Sequence, residues 1–359
     1  MFTRKKFLLS ACLFLAFSLF SCGGTGSSSA GGDYAYVVNE NGNNISQYTI
    51  GAGGALTPMA TPTVAAGTYP KAVAVDPSGK YAYVVNFNDN DISQYAIGAG
   101  GALTPMATPT VAAGNGPYHV LVDPSGKYVY AVNVTDNDIS QYAIGAGGAL
   151  TPMATPTVPA GSGPLSIAVD PSGKYVYVAN AASNNVTQYT IGAGGALAAM
   201  ATPAVTVGNS PFCITVDPSG KYVYVVNSND NDVSQFTIGA GGALAAMATP
   251  TVAAGTTPVS VKVDTSGKYV YVANINDNDV SQFTIGAGGS LTPMATPTAA
   301  AGAGPYSIAL DSSGKYVYTA NVTGNDVSQY TIGAGGALTP MATPTAAAGN
   351  GPRFITTAP

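Results

Sequence analysis

The chain has 359 residues, of which 8% are charged, and it carries a formal net charge of −5. Three of its 12 basic residues stand together at positions 4–6, so the rest of the chain is strongly acidic. Nucleic acids and anionic membrane surfaces bind clusters of Lys and Arg, and the composition therefore excludes both as partners. The 25 prolines and 45 glycines indicate frequent turns and disfavour long helices.

The N-terminal segment is typical of an exported protein. Its basic residues precede an almost wholly apolar run, residues 7–20, which is too short for a membrane-spanning helix of about 20 residues. The run ends in Leu19-Phe20-Ser21-Cys22 and is followed by a Gly/Ser-rich stretch. Small residues after an apolar run suit cleavage by a signal peptidase, so an ordinary secretory peptide is one interpretation.

The placement of Cys22 also resembles a bacterial lipobox, and we favour this second interpretation. The resemblance implies a lipoprotein signal peptide at residues 1–21, diacylation of the Cys22 sulfur, and a flexible Gly/Ser tether at residues 22–33. Gly23 rather than Asp follows the cysteine, which in Gram-negative lipoproteins implies the outer membrane. The protein is therefore expected to be exported and held at the outer membrane or cell surface by its lipid anchor alone.

From residue 34 onward the sequence repeats with a step of 47 residues. The peptide Asp123-Pro-Ser-Gly-Lys-Tyr-Val-Tyr-Ala-Val-Asn133 has close copies that open at Asp76, Asp170, Asp217, Asp264 and Asp311. Runs of five to seven residues rich in Val, Ile and Tyr, separated by Gly, Asn and Asp, predict an antiparallel meander. One period contains four predicted strands, at residues 164–169, 174–180, 186–191 and 196–205.

The second and fourth strands indicate how the sheets are arranged. In Tyr128-Val-Tyr-Ala-Val132 every position is apolar. A strand with one face exposed to solvent would instead alternate apolar with polar residues. The sheets must therefore cover one another on both faces, as in a stack. The fourth strand carries prolines, such as Pro105 and Pro109, which are confined to sheet edges. It is therefore predicted to be the outer edge of its sheet.

The two ends of the repeat region decide between a rod and a ring. Residues 34–39 form a second strand without a preceding first strand, and residues 352–357 form a first strand without a following second strand. In a ring, the last strand pairs with the earliest one and completes a seventh unit. We therefore predict an all-β fold over residues 34–359, a seven-bladed β-propeller of four-stranded antiparallel blades, closed by the C-terminal strand.

The repeated motifs resemble a known family. Tyr-Val-Val-Asn and Tyr-Val-Ala-Asn are similar to the core of bacterial YVTN-repeat propellers. The longer unit, Pro-x-x-Ile-x-Val-Asp-Pro-Ser-Gly-Lys-Tyr-Val-Tyr-Val-Ala-Asn, resembles the lactonase-like seven-bladed propeller superfamily. The resemblance covers residues 34–359 and implies the fold, while a fold alone does not fix an activity.

Differences between the copies point to a candidate site. The two positions after the proline of each first strand vary most, and the first strand of a propeller blade is the innermost. We therefore expect the variable pairs to ring one funnel at the channel mouth, although drift at tolerant positions explains them as well. The predicted ligand-binding residues are Lys71, Tyr118, His119, Phe212, Tyr306 and Arg353.

The lactonase resemblance implies particular site residues. Such enzymes carry Gly-Pro-Arg-His at the start of a first strand and a Glu after a Tyr-Val-x-Asn strand. Here Arg353 and Glu40 match, and ring closure places them in one blade, but Phe354 stands where the His is expected. His119 occupies the His position in another blade, next to Tyr118. A base must lie within hydrogen-bond reach of the proton it takes, so we favour a plain Arg353–Glu40 ion pair and keep catalysis by Arg353, Glu40 and His119 as the alternative.

No cofactor or metal is expected. The Asn/Asp-rich turns, such as residues 88–91, offer oxygen ligands for calcium, but the same residues suit tight turns, and we favour turns. Cys213 lies in an apolar stretch and is expected to be a small buried hydrophobe.

The leading functional interpretation is a non-enzymatic, lipid-anchored and monomeric propeller that binds an unknown protein or glycan of the cell envelope. A structural adhesion module is a related possibility. The alternative is an enzyme, a hydrolase of sugar-acid lactones similar to 6-phosphogluconolactonases.

The lipid anchor can be tested directly. We expect protein recovered from the membrane fraction to begin at Cys22 and to carry acyl chains there, measured by mass spectrometry of its N-terminal peptide. The Cys22→Ser variant should leave the membrane fraction. The control is Cys12→Ser, at the other cysteine of the N-terminal segment, which should stay in it. An unmodified Cys22 in membrane-derived protein would refute the anchor.

Overall fold

The computed structural model describes residues 33–359. The predicted signal peptide, the lipidation site Cys22 and the tether up to residue 32 lie outside the described residues. Within the described part, no helix is long and apolar enough to cross a membrane.

The structure contains seven four-stranded antiparallel sheets, and six of them consist of strands that are consecutive in the chain. The strands are β1 (Tyr34–Asn39), β2 (Asn44–Ile50), β3 (Leu56–Ala65), β4 (Pro70–Val75), β5 (Tyr81–Asn86), β6 (Asp91–Ile97), β7 (Leu103–Ala112), β8 (Pro117–Val122), β9 (Tyr128–Asn133), β10 (Asp138–Ile144), β11 (Leu150–Pro159), β12 (Pro164–Val169), β13 (Tyr175–Asn180), β14 (Asn185–Ile191), β15 (Leu197–Thr206), β16 (Pro211–Val216), β17 (Tyr222–Asn227), β18 (Asp232–Ile238), β19 (Leu244–Ala253), β20 (Pro258–Val263), β21 (Tyr269–Asn274), β22 (Asp279–Ile285), β23 (Leu291–Ala300), β24 (Pro305–Leu310), β25 (Tyr316–Asn321), β26 (Asp326–Ile332), β27 (Leu338–Ala347) and β28 (Pro352–Ala358).

The seventh sheet closes the ring. Its strand order is β28-β1-β2-β3, and Ile355 lies opposite Val37 in the antiparallel register of β28 and β1. The predicted seven-bladed β-propeller, with its C-terminal strand completing the N-terminal blade, is therefore confirmed.

The predicted division of each blade into core and edge is confirmed as well. In β9 the residues from Val129 to Val132 are fully buried on both faces, because neighbouring blades cover the sheet from each side. The fourth strands are mostly exposed, as in β11. The second strand was predicted to begin at Lys174. The N–H of Lys174 instead belongs to the preceding turn, where it donates to Asp170 at 2.7 Å, so β13 begins one residue later, at Tyr175.

Two buried side-chain hydrogen bonds join each blade to another, and both occur seven times around the ring. A tyrosine of each second strand donates its hydroxyl to a glycine carbonyl, as Tyr318 does to Gly54 at 2.6 Å. A glutamine of each third strand accepts the N–H of a leucine, as Gln329 does from Leu56 at 2.7 Å. The tyrosine bonds pair residues 36/101, 83/148, 130/195, 177/242, 224/289, 271/336 and 318/54. The glutamine bonds pair residues 47/103, 94/150, 141/197, 188/244, 235/291, 282/338 and 329/56.

The repeated Asp-Pro-Ser-Gly peptide is a structural turn. The Asp76 carboxylate accepts backbone N–H groups from Ser78, Lys80 and Tyr81 at 3.0, 2.7 and 2.7 Å. It thereby fixes the connection from the inner strand to the second strand, and the same bonds recur in the other copies.

The Asn/Asp-rich segments also form turns. Asn90 adopts a left-handed backbone with φ of 57°, which asparagine tolerates better than most residues. Asp89 accepts the N–H of Thr68 at 2.6 Å, so the segment holds the neighbouring connection in place.

Matched substitutions test the closure. Ile355 in β28 and Ile308 in β24 occupy the same position of their blades, and both are buried. Truncating a buried Ile to Ala costs about 2–5 kcal/mol, so Ile355→Ala and Ile308→Ala should lower the free energy of unfolding by similar amounts, measured by chemical denaturation. A neutral Ile355→Ala beside a destabilising Ile308→Ala would contradict the docking of β28.

Candidate functional site

The first strands of the seven blades line a central channel. Thirteen of the fourteen side chains at the variable pairs surround one small cavity of about 40 Å³ at its mouth. Below it lies a wider channel of about 420 Å³. All six predicted ligand-binding residues line the upper cavity: Lys71, Tyr118, His119, Phe212, Tyr306 and Arg353.

Glu40 lies at the centre of a buried charge cluster beside this cavity. It follows the last residue of β1, and its N–H donates to the Gly351 carbonyl at 2.8 Å. Its two carboxylate oxygens accept hydrogen bonds from Lys71 Nζ at 2.6 Å and from Arg353 Nη1 at 2.7 Å. Burial opposes ionisation, but Arg353 and Lys71 outweigh it and hold the pKa of Glu40 below its ordinary value.

Arg353 is held by phenol groups as well as by Glu40. Its Nη2 donates to the hydroxyls of Tyr118 and Tyr306, each at 2.5 Å, and its guanidinium carbon lies 4.3 Å from the centre of the Tyr306 ring. Burial would lower the pKa of Arg353, yet Tyr306, Tyr118 and Glu40 raise it overall. The guanidinium is therefore a fixed positive charge.

Lys71 lies in a cage of aromatic rings. Its Nζ is 4.0 Å from the centre of the Tyr69 ring, 5.0 Å from that of Phe87 and 5.5 Å from that of Tyr118. Burial, together with the charge of Arg353, lowers the pKa of Lys71 to about 8 even though Glu40 favours the charged form. The ammonium is thus much closer to losing its proton than a surface lysine.

Tyr69 and Phe87 were missed by the sequence analysis, although the repeats contain a signal for both. Tyr69 stands where four other copies have Gly, and it keeps the left-handed backbone of those glycines, with φ of 60°. A bulky residue in this conformation is strained. Phe87 follows Asn86 as Glu40 follows Asn39, so the two residues occupy the same position of their repeats. Comparing these two positions between copies would have found the cage.

Phe212 completes the aromatic part of the mouth. Its ring packs edge-on against Tyr306 at 5.6 Å and against Tyr118 at 6.3 Å between ring centres. Edge-to-face contacts at these separations are favourable. The three rings fill much of the funnel, which explains why the remaining cavity is small.

His119 does not join the charge cluster. Its Nδ1 accepts the N–H of Ile167 at 3.2 Å, and its ring packs on Phe354 at 5.3 Å between centres. Burial, with a smaller effect of the Lys262 charge, lowers the pKa of His119 to about 3. The ring is therefore neutral, and since Nδ1 is an acceptor, the proton lies on Nε2.

The structure thus brings Arg353 and Glu40 together, as predicted from ring closure, and adds Lys71 to them. His119 makes no hydrogen bond to Arg353 or Glu40, because its imidazole accepts the N–H of Ile167 instead. The expectation of a buried Cys213 is wrong: the residue is partly exposed and lines the channel.

The mouth carries two positive charges and one negative charge, which favours an anion or an oxygen that becomes negative during a reaction. Of the three N–H donors of Lys71 and the five of Arg353, one and three respectively bind the side chains described above. The others have no hydrogen-bond partner among the described residues. Since small-molecule sites commonly enclose roughly 300–1,000 Å³, the rings of the mouth must move to admit a sugar-sized molecule.

Several solved structures share this fold. A candidate 6-phosphogluconolactonase of Bacteroides uniformis is 19% identical, with a TM-score of 0.79 over 91% of this chain and 99% of that one. A similar candidate from Bacteroides fragilis is 21% identical, with a TM-score of 0.79 over 91% and 98%. The periplasmic gluconolactonase of Pseudomonas aeruginosa is 17% identical, with a TM-score of 0.76 over 91% and 99%. At these identities the likeness shows the fold alone. No curated protein matches the sequence significantly.

The family comparison is more specific. A model described as "Lactonase, 7-bladed beta-propeller" matches residues 26–159, 70–250 and 192–359, which together span the whole propeller. This match overturns our leading interpretation of a non-enzymatic binding scaffold and favours the lactonase-like alternative, because divergence between the repeats does not distinguish a binding funnel from an active site. The chain belongs to the lactonase family of seven-bladed β-propellers.

Proposed function

We propose that this protein is an exported lactonase-type carboxylic ester hydrolase that acts on sugar-acid lactones at the mouth of the propeller channel. The observation that carries the proposal is the buried Glu40 carboxylate, held between Lys71 and Arg353 in a chain of the lactonase family.

The reaction needs a base and a site for negative charge. Water adds to the lactone carbonyl carbon as one of its protons passes to the base, and the carbonyl oxygen becomes an oxyanion. The carbonyl then re-forms, the ring carbon–oxygen bond breaks, and the base returns the proton to the ring oxygen to give a hydroxy acid. Glu40 is ionised at neutral pH because its pKa is lowered, so it can orient the water and accept its proton. The remaining N–H groups of Lys71 and Arg353 stabilise the oxyanion, as preorganised donors do in a desolvated site.

His119 is not the base in this proposal. The only lone pair of its neutral imidazole ring nitrogens, on Nδ1, accepts the N–H of Ile167, so His119 has none left with which to take a proton from water. Arg353 and Glu40 are therefore the proposed catalytic pair, with Lys71 beside them.

The substrate class and the location rest on similarity. Two structural neighbours are candidate 6-phosphogluconolactonases and a third is a periplasmic gluconolactonase. These support sugar-acid lactones as substrates and export as the location, in agreement with the signal sequence expected at residues 1–21. Anchoring through Cys22 at the outer membrane is part of the same proposal.

Turnover by variants tests the catalytic pair. Purified protein should open gluconolactone or 6-phosphogluconolactone faster than the uncatalysed reaction, measured by acid release. Loss of one oxyanion donor typically lowers kcat by about 10²–10³, so Arg353→Ala should do the same, and Glu40→Gln should also be inactive because an amide cannot take the proton.

The matched control is Lys80→Met, which removes an exposed charge from the blade that carries Lys71 and should keep full activity. Thermal unfolding must show that the inactive variants are folded. Folded Arg353→Ala with unchanged turnover, or wild-type protein inactive on both lactones, would refute the proposal.

The dependence of turnover on pH tests Lys71. Its ammonium is charged below its pKa of about 8 and loses its proton as the pH rises through that value. If this charge stabilises the oxyanion, kcat should fall above about pH 8 after subtraction of the spontaneous alkaline hydrolysis.

Lys71→Arg provides the comparison, because arginine stays charged throughout this range. Its kcat should remain level above pH 8. A wild-type profile that stays flat to pH 10, or the same fall in both proteins, would exclude Lys71 from the reaction.

A further inference from the structure

The central channel below the mouth contains a second polar region. The channel of about 420 Å³ is lined by the inner strands of all seven blades, and its lining residues include one lysine, Lys262, and no Asp or Glu. His119 lines the same channel. We propose that Lys262 and His119 form a binding site for a small oxyanion, a carboxylate or a phosphate, inside the channel.

Lys262 is a singular replacement in the repeat. It is the fifth residue of inner strand β20, and the six other inner strands have uncharged residues at that position: Ala74, Leu121, Ala168, Thr215, Ala309 and Thr356. The strand pairs normally, with Lys262 opposite Tyr271. The fold therefore does not require a lysine here, and a small or apolar side chain suffices for packing in the other blades.

The Lys262 ammonium has no acidic partner in the described part of the chain. Both ion pairs found among residues 33–359 use Glu40. The aspartate of the turn that follows its strand, Asp264, is occupied by N–H groups of Ser266, Lys268 and Tyr269. A charge that is partly removed from water without a counter-ion is costly, and a bound anion would supply that counter-ion.

His119 adds a neutral donor to the same space. Because its Nδ1 accepts the N–H of Ile167, its Nε2 carries a proton that is free to bind a ligand. Both His119 and Lys262 line the channel, His119 from β8 and Lys262 from β20, so a ligand inside the channel can lie between them. A protonated Nε2 and an ammonium together match the acceptor oxygens of a carboxylate or phosphate.

Serine hydroxyls extend this preference for acceptors. Ser260 accepts the N–H of Ile308 at 3.2 Å, and Ser307 accepts that of Ile355 at 3.2 Å. Each hydroxyl that accepts in this way keeps its own hydrogen to donate. Both serines line the upper cavity and the channel, so the oxyanion site lies directly behind the mouth but uses different charged residues.

Nuclear magnetic resonance can test the site without any enzyme assay, because the chain contains a single histidine and its imidazole gives one set of signals. Titration of purified full-length protein with sodium phosphate, and separately with sodium gluconate, should shift the His119 signal in a saturable way. Lys262→Met should weaken the apparent affinity at least tenfold. Lys268→Met, which removes an exposed charge from the same blade, should bind like the wild type.

The outcomes separate the two ligand sources and the two proposals. Saturation by phosphate alone identifies a phosphate site, and saturation by gluconate alone identifies a carboxylate site. No saturable shift with either, or equal affinity in folded Lys262→Met, would overturn the inference. Arg353→Ala should abolish lactone turnover yet keep the shift, so failure of the proposed enzymatic function leaves this test intact.

Discussion

The pairing of β28 with β1 is the interaction on which the rest of the structure depends. It joins the two ends of the repeat region without a covalent link, with Ile355 opposite Val37. The same pairing puts Arg353 at the start of β28 beside Glu40 at the end of β1, which makes their 2.7 Å contact a direct consequence of ring closure. An open arrangement would lose the channel, the charge cluster and one complete blade together.

Stability and chemistry are distributed differently over the repeats. The hydrogen bonds that hold blades together occur in every copy, and Gly54 shows how narrowly they are fitted, since a Cβ there would meet the Tyr316 ring. The charged residues at the channel occur once each. In the sector that holds Glu40, Lys71 and Arg353, the carboxylate pairs with both cations, which offsets part of the cost of burying the three charges.

The sequence predicted most of the fold because each blade satisfies local rules: apolar second strands, proline-bearing edges and aspartate turns. It also predicted the Arg353–Glu40 contact, since this follows from topology. The position of Lys71 between them was not predictable in the same way. That contact depends on the orientation of the long Lys71 side chain, which packs against the rings of Tyr69 and Phe87. The position of His119 on its strand was predicted, but the orientation of its ring was not, because the ring is held by a hydrogen bond from the N–H of Ile167.

The channel itself explains how a repeat protein acquires separate polar sites. Several inner-strand side chains that face the common axis, Lys262 and Arg353 among them, are only partly covered by neighbouring blades, unlike the buried Ile308 and Ile355, and they change at less cost to the core. Lys262 and Arg353 are both such changes, at the fifth and second positions of their strands. The two positions differ in depth along the axis. Arg353 lies at the mouth, where it pairs with Glu40, and Lys262 lies in the channel, whose lining contains no carboxylate. The depth of a substitution along the inner strand, more than the blade in which it occurs, therefore determines which site it serves.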